Sequence, residues 1–264
     1  MRFFPVEAMK DFEMHRSAVL KRAAQHVPAE LYVVDRPLDE KRQYKFELAP
    51  EFPLAIKRLR FEANRPPRPL TWHTYLEIFI LLTGECRIQM GDSVVSLKEG
   101  DLLVMDHLKL HVILDFPGEQ VEALIIRFLP DIALGLATSA QDYVLLLPFY
   151  VQAENAPHIL LADSEDAPAV HDALANLFEA YAFKPGSPYQ LTGSRAFFVL
   201  VLHQLARSFR SVEELSEKFA GQKRKTDNLR KLFEYIGVNY ASRISLSKAA
   251  SIAGLSKQRF NAVF

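Results

Sequence analysis

Between Leu76 and Phe128 the chain is cut into short apolar runs, and the cuts fall on residues that bend a backbone. The runs are Leu76–Leu82, Arg87–Met90, Val94–Leu97, Leu102–Met105, His111–Asp115 and Ala123–Phe128. Between them stand Thr83-Gly84, Gly91-Asp92, Glu99-Gly100-Asp101 and Pro117-Gly118. Runs this short, with turns this close, suit the strands of a sandwich or small barrel. Gly91-Asp92 predicts a two-residue hairpin, because glycine supplies the positive φ that a primed turn requires. The β character begins near residue 31.

The flanks read differently. Residues 6–26 follow Pro5, a helix starter, and Met9, Phe12, Leu20, Ala23 and Ala24 can supply an apolar stripe. After residue 163 the period becomes helical. Asp163 and Ser164 offer caps for a helix through Val170, Leu174, Leu177 and Phe178, which Lys184–Pro188 breaks. Tyr189–Arg210 predicts a second helix, apolar nearly all round at Phe197–Leu202, so burial on more than one side is expected. Gly221–Thr226 is polar and charged and reads as a linker. The fold class is therefore α+β, and 264 residues suffice for two domains.

The formal net charge is zero, yet it divides. Residues 1–220 hold 23 Lys+Arg against 30 Asp+Glu; residues 221–264 hold 9 against 2. A basic terminal segment lowers its energy beside a polyanion by releasing condensed counterions; a solvated helical surface is the alternative. The single cysteine, Cys86, excludes an intrachain disulfide framework and a cysteine-rich zinc site. No run of apolar residues is long enough for a membrane span, and the start of the chain lacks a signal peptide's apolar core. A reducing, cytoplasmic setting is expected, with no membrane partner. No nucleophile elbow, P-loop or dinucleotide fingerprint is present, which leaves hydrolase, kinase and dehydrogenase readings without support.

The most specific pattern runs from Ser245 to Phe264. Counted from Leu246, residues Ala249, Ala253, Leu255, Phe260 and Val263 fall where a helix-turn-helix buries apolar side chains. Ala250 falls where the helices cross, Gly254 at the left-handed turn, and Ser256 at the cap of the second helix. An ordinary αα-hairpin is the alternative. In a helix-turn-helix the second helix enters the major groove of double-stranded DNA. Lys257, Gln258, Asn261 and Ala262 would face outward. Gln258 and Asn261 share a face and carry amides that can pair with adenine. Arg243, Lys248 and Lys257 would contact phosphates.

The segments Ile236–Tyr240, Ile244-Ser-Leu-Ser, Ala250–Ser256 and Phe260…Phe264 resemble the AraC/XylS family of bacterial transcription regulators. The family's base-facing positions map to Gln258, Asn261 and Ala262; the last is often basic in relatives. The family's DNA-binding domain has two helix-turn-helix units. This sequence stops inside the first recognition helix, so a C-terminally truncated chain with poor DNA binding of its own is expected.

His73-Thr-Tyr-Leu-Glu77, with Gly84 following, resembles the first cupin motif, and Gly100–Met105 followed by His111 resembles the second. The resemblances imply an N-terminal cupin-type β-barrel (double-stranded β-helix), then helices and an incomplete all-α helix-turn-helix domain. The expected division is 1–30 helical arm, 31–163 sensor barrel, 164–220 helical dimerisation and linker region, and 221–264 partial DNA-binding domain. They also imply a small-molecule effector, a carbohydrate in the family's manner, and a homodimer. Effector-binding candidates are Arg60, Trp72, His73, Tyr75, Glu77, His111 and Arg127. Where metal cupins carry an additional histidine, this chain has Thr71. His73, Glu77 and His111 could still form a metal triad, the ligand set of a metal-dependent dioxygenase or isomerase. The regulator reading expects no catalytic residues and no metal or other cofactor. Burial of Arg127 would require a partner, and Glu77 is one possibility. His107 is expected on a loop.

Overall fold

The computed structural model describes residues 18–32, 42–44, 46–62, 68–105, 109–116, 120–134, 144–150, 152, 157–209, 232, 235, 244–258 and 260. The chain divides into two units, Met1–Phe209 and Arg210–Phe264. The fold is α+β.

In the first unit the turn-forming residues separate the strands much as the sequence implies. The strands are β1 (Ala29–Leu31), β2 (Leu54–Glu62), β3 (Leu76–Thr83), β4 (Glu85–Met90), β5 (Ser93–Lys98), β6 (Leu102–Met105), β7 (His111–Asp115), β8 (Gln120–Phe128) and β9 (Ile159–Leu160). They form a six-stranded sheet, β1-β2-β8-β3-β6-β9, and a three-stranded sheet, β5-β4-β7. Gly91 closes the β4–β5 hairpin at φ +59°, with Met90 opposite Ser93. Glycine first, with no positive φ at Asp92, is the pattern of a type II′ turn.

Side-chain alternation assigns each face of the six-stranded sheet to a different core. Leu59 and Phe61 of β2, Phe79 and Leu81 of β3, Leu103 and Met105 of β6, and Ala123 and Ile125 of β8 meet Cys86, Ile88, Val95 and Leu97 between the two sheets. The opposite parity, Leu54, Ile56, Ile78, Ile80, Leu102, Val104, Leu124 and Ile126, packs against helices. β3 is consequently buried on both faces from Leu76 to Leu82.

The helical cover comprises residues 18–24, short turns at Asp131–Leu134 and Leu147–Tyr150, helix α1 (Ala167–Ala182) and helix α2 (Pro188–Ser208). Of the expected helix over residues 6–26, residues 18–24 are helical and bury Leu20, Ala23 and Ala24; Met9 and Phe12 lie outside the described residues. α1 starts with Asp166 at its N-cap rather than Asp163 or Ser164, and the Asp166 side chain makes no capping bond. Ser187 caps α2 by accepting from Gln190 N. Burial of α2 on more than one side is not observed. One stripe, Ser194, Phe198, Val201, Leu202 and Leu205, is buried, while Leu200 is 39% exposed. The stripe follows the 3.6-residue period, and only the side facing α1 and the sheet is covered.

In the second unit helix α3 (Leu246–Ile252) is capped by Ser245, whose hydroxyl accepts from Lys248 N. The helix ends in a closed Schellman motif. Gly254 stands at φ +64°, Gly254 N donates to Ser251 O at 3.1 Å, and Leu255 N donates to Ala250 O at 2.9 Å. Past this corner residues 257, 258 and 260 are again helical. Ala249, Ala250, Ala253, Phe260 and Leu232 form the core, and Leu255 packs on it. Leu246, first in the count, is 42% exposed. Val263, the linker at 221–226 and the loop at His107 lie outside the described residues.

Candidate functional site

Between the two sheets lies a cavity of about 120 Å³, whose lining includes Tyr32, Tyr44, Arg68, His73, Tyr75, Glu77, His111 and Arg127. Glu77 on β3 and Arg127 on β8 are cross-strand partners in the antiparallel register, so their side chains share the inner face. Arg127 Nε donates to Glu77 Oε2 at 2.8 Å, and both residues are buried. Glu77 is the partner that the sequence offered as one possibility for a buried Arg127. Three rings, Tyr44, Phe46 and Tyr75, surround the guanidinium, with centroids 5.0–5.4 Å from its carbon. Burial pushes the Glu77 carboxyl up, but Arg127, with His73 and His111 behind it, holds it below its ordinary value. Burial alone would lower the Arg127 guanidinium; the Glu77 carboxylate reverses that and keeps it charged.

His73 is 2% exposed and stacks on Tyr75 with centroids 3.8 Å apart. Its Nδ1 lies 2.8 Å from the Tyr75 main-chain oxygen. A carbonyl only accepts, so Nδ1 carries the proton and donates. Burial lowers the His73 imidazole to about 4, against a smaller opposing pull from Glu77, so at neutral pH Nε2 is a bare lone pair. His111 repeats the arrangement, with Nδ1 donating to Lys109 O at 2.8 Å. Its ring meets that of His73 edge-on at 4.8 Å. Two buried polar atoms in the lining have no partner among the described residues: His73 Nε2 and the Tyr75 hydroxyl.

Five of the seven sequence candidates thus converge. Arg60 and Trp72 do not line the cavity. Arg60 has the parity of Leu54 and Ile56, the face turned away from the inter-sheet core, and its Nε donates to Glu122 at 2.7 Å. Trp72 lies between Thr71 and His73, which do line the cavity; its main chain bonds to Arg42 and Tyr44. Phe79 and Ile125 were findable, since they share parity with Glu77 and Arg127. Tyr32, Tyr44 and Arg68 arrive from outside the paired strands around the cavity, and no periodicity marks them.

A metal triad would draw on His73, Glu77 and His111, whose donor atoms lie within 4.8 Å of one another. The bound Nδ1–H groups favour it, since they leave both Nε2 atoms free to ligate. The rest does not fit. His73 Nε2 and Glu77 Oε2 are 3.7 Å apart, whereas two donors at ~2.1 Å from one ion stand roughly 3.0–3.4 Å apart. The same Glu77 oxygen is held by Arg127, a fixed positive charge where a cation would sit.

At the corner in the second unit, Lys257 and Gln258 are exposed just past Gly254, and Lys248 is exposed on α3. Arg243, Asn261 and Ala262 lie outside the described residues. Among the described residues no helix is long and apolar enough to cross a membrane.

No family model matches the chain. YdeC of Bacillus subtilis (strain 168), an uncharacterized HTH-type transcriptional regulator, is 21% identical over 228 residues, 86% of this chain and 74% of that protein. Among solved structures, ToxT from Vibrio cholerae is 10% identical, with a TM-score of 0.41 over 80% of this chain and 93% of its own. A variant of the oxalate decarboxylase OxdC of Bacillus subtilis is 20% identical, with a TM-score of 0.25 over 42% of this chain and 34% of its own. The chain is thus a distant relative of an HTH-type transcriptional regulator.

Proposed function

We propose that this chain is a ligand-responsive transcription regulator. In this reading an effector bound between the sheets of the first unit alters sequence-specific binding of double-stranded DNA by the second. The observation that carries it is the corner at Gly254: a closed helix end, a left-handed glycine, and a following helical segment that leaves Lys257 and Gln258 in solvent. Lys257 and Lys248 are assigned to phosphates and Gln258 to a base edge, together with Arg243 and Asn261. The distant relationship to an HTH-type regulator supports the same reading. A homodimer would set the spacing of two half-sites.

Selection from a random duplex library by the full-length protein, followed by binding at several salt concentrations, tests the proposal. A preferred sequence should emerge, with affinity falling steeply as salt rises. Lys248→Ala and Lys257→Ala should each reduce the salt slope by about one, and Gln258→Ala should relax preference at one base pair by ~1–3 kcal/mol. A protein with no preference over random duplex is not a regulator of this kind.

The second reading is a metal-dependent cupin enzyme, a dioxygenase or isomerase; the grouping of His73, Glu77 and His111 supports it, while the Arg127 ion pair on Glu77 opposes it. Elemental analysis separates the two. Stoichiometric iron, nickel or manganese, lost in His111→Ala, would support the enzyme.

A further inference from the structure

The cavity's polar atoms define what a ligand must bring. Glu77 and Arg127 cancel, so the buried end carries no net charge, and an ion of either sign would enter without a counter-charge. What remains is unsatisfied hydrogen-bonding capacity. His73 Nε2 is a buried lone pair with no partner among the described residues, and the Tyr75 hydroxyl, also without one, can donate or accept. Both residues are 2% exposed. His111 brings a second Nε2 to the same cavity, its Nδ1 being tied to Lys109 O. Two adjacent acceptors call for two adjacent donors. Around them Phe79, Met105, Ile113 and Ile125 supply apolar walls. At about 120 Å³ the cavity is somewhat smaller than the ~150 Å³ apolar cavity that accepts benzene, so it takes a group of about that size or less.

We propose that this cavity receives the uncharged, hydrogen-donating end of a small organic molecule, with donors on neighbouring atoms as in a vicinal diol or a primary amide, directed at His73 Nε2, His111 Nε2 and the Tyr75 hydroxyl. The proposal rests on reading the cavity as an effector site, and it names the chemistry of that effector's inner end. Arg68, whose guanidinium lies 5.0 Å from the Tyr32 ring centre, has no carboxylate partner among the described residues. An acidic tail on the ligand belongs at that end.

The test follows the imidazole nitrogens of the full chain, labelled with 15N-histidine, by NMR. Ethylene glycol represents diols and acetamide represents amides. 1,2-Dimethoxyethane and N,N-dimethylacetamide are their counterparts without donors; sodium acetate and zinc chloride are the charged competitors. Ethylene glycol, acetamide or both should move the Nε2 signals of His73 and His111 saturably, and the donor-free counterparts should bind at least about tenfold more weakly. Tyr75→Phe removes only a hydroxyl that lacks a partner, so the fold should persist while binding of the active probe weakens several-fold. Equal binding of the donor-free counterparts overturns the proposal. So does saturation of the same nitrogens by acetate or zinc where neither donor-bearing probe acts, or the absence of any saturable shift. A protein that takes these probes but selects no DNA keeps this pocket chemistry and loses the regulator reading. One that selects DNA but ignores the probes does the reverse.

Discussion

Arg127 and Glu77 illustrate how a buried charge depends on its partner. Removing one leaves the other unpaired in a buried site. Arg127→Met or Glu77→Gln should each cost ~3–5 kcal/mol in urea unfolding at pH 7, and the double replacement Arg127→Met with Glu77→Leu should recover most of it. His73 adds an acid dependence. Its ordinary value is 6.5 and its folded value about 4, so between these the unfolded chain binds more protons. Stability is therefore full above about pH 6.5 and falls as the pH drops toward 4, by ~3 kcal/mol in all. His73→Phe should flatten that slope in midpoint measurements across pH 4–7. Glu77, held below its ordinary value, contributes a further loss at lower pH, as the medium falls through its folded value.

At the scale of elements, turns decide more than strands do. Gly100 and Gly186 both stand in the left-handed region, at φ +86° and +80°. A Cβ on Gly186 meets nothing within 4 Å, whereas one on Gly100 would lie 2.8 Å from Ala162 Cβ. Both alanine variants should lose ~1–2 kcal/mol to backbone strain, and Gly100→Ala a further ~1–3 kcal/mol to overpacking. Urea unfolding of the two side by side isolates the contact. Turn residues are also why the strands could be read from the sequence. β6 and β7 match their sequence ranges, and β4, β5 and β8 are extended by one to three residues at one or both ends. The cost of burying an unpaired guanidinium pointed to a partner for Arg127, with Glu77 as one possibility, and the β3–β8 register places the two opposite each other. Arg60 shares the parity of Leu54 and Ile56, which puts it on the face away from the cavity, and the sequence reading did not apply that parity. The α2 sequence overstated burial, because composition shows apolar side chains but not what covers them. Tyr32, Tyr44 and Arg68 reach the cavity through tertiary folding, which leaves no periodic trace.

For the whole molecule, a net charge of zero is the sum of an acidic 1–220 and a basic 221–264. The division into Met1–Phe209 and Arg210–Phe264 predicts that residues 1–209, made alone, fold and keep the acid dependence of His73 in urea titrations. Aggregation at neutral pH, or a lost dependence, would show that the first unit needs the second. Within the first unit, Phe79 touches the inter-sheet core while Ile78 and Ile80 touch the helices. The sheet is a party wall. A guest pressing on one side leans on a partition whose other side holds Phe178 and Phe198 in place. Fluorine placed on Phe178 should therefore report, from behind that partition, whether the room in front is let.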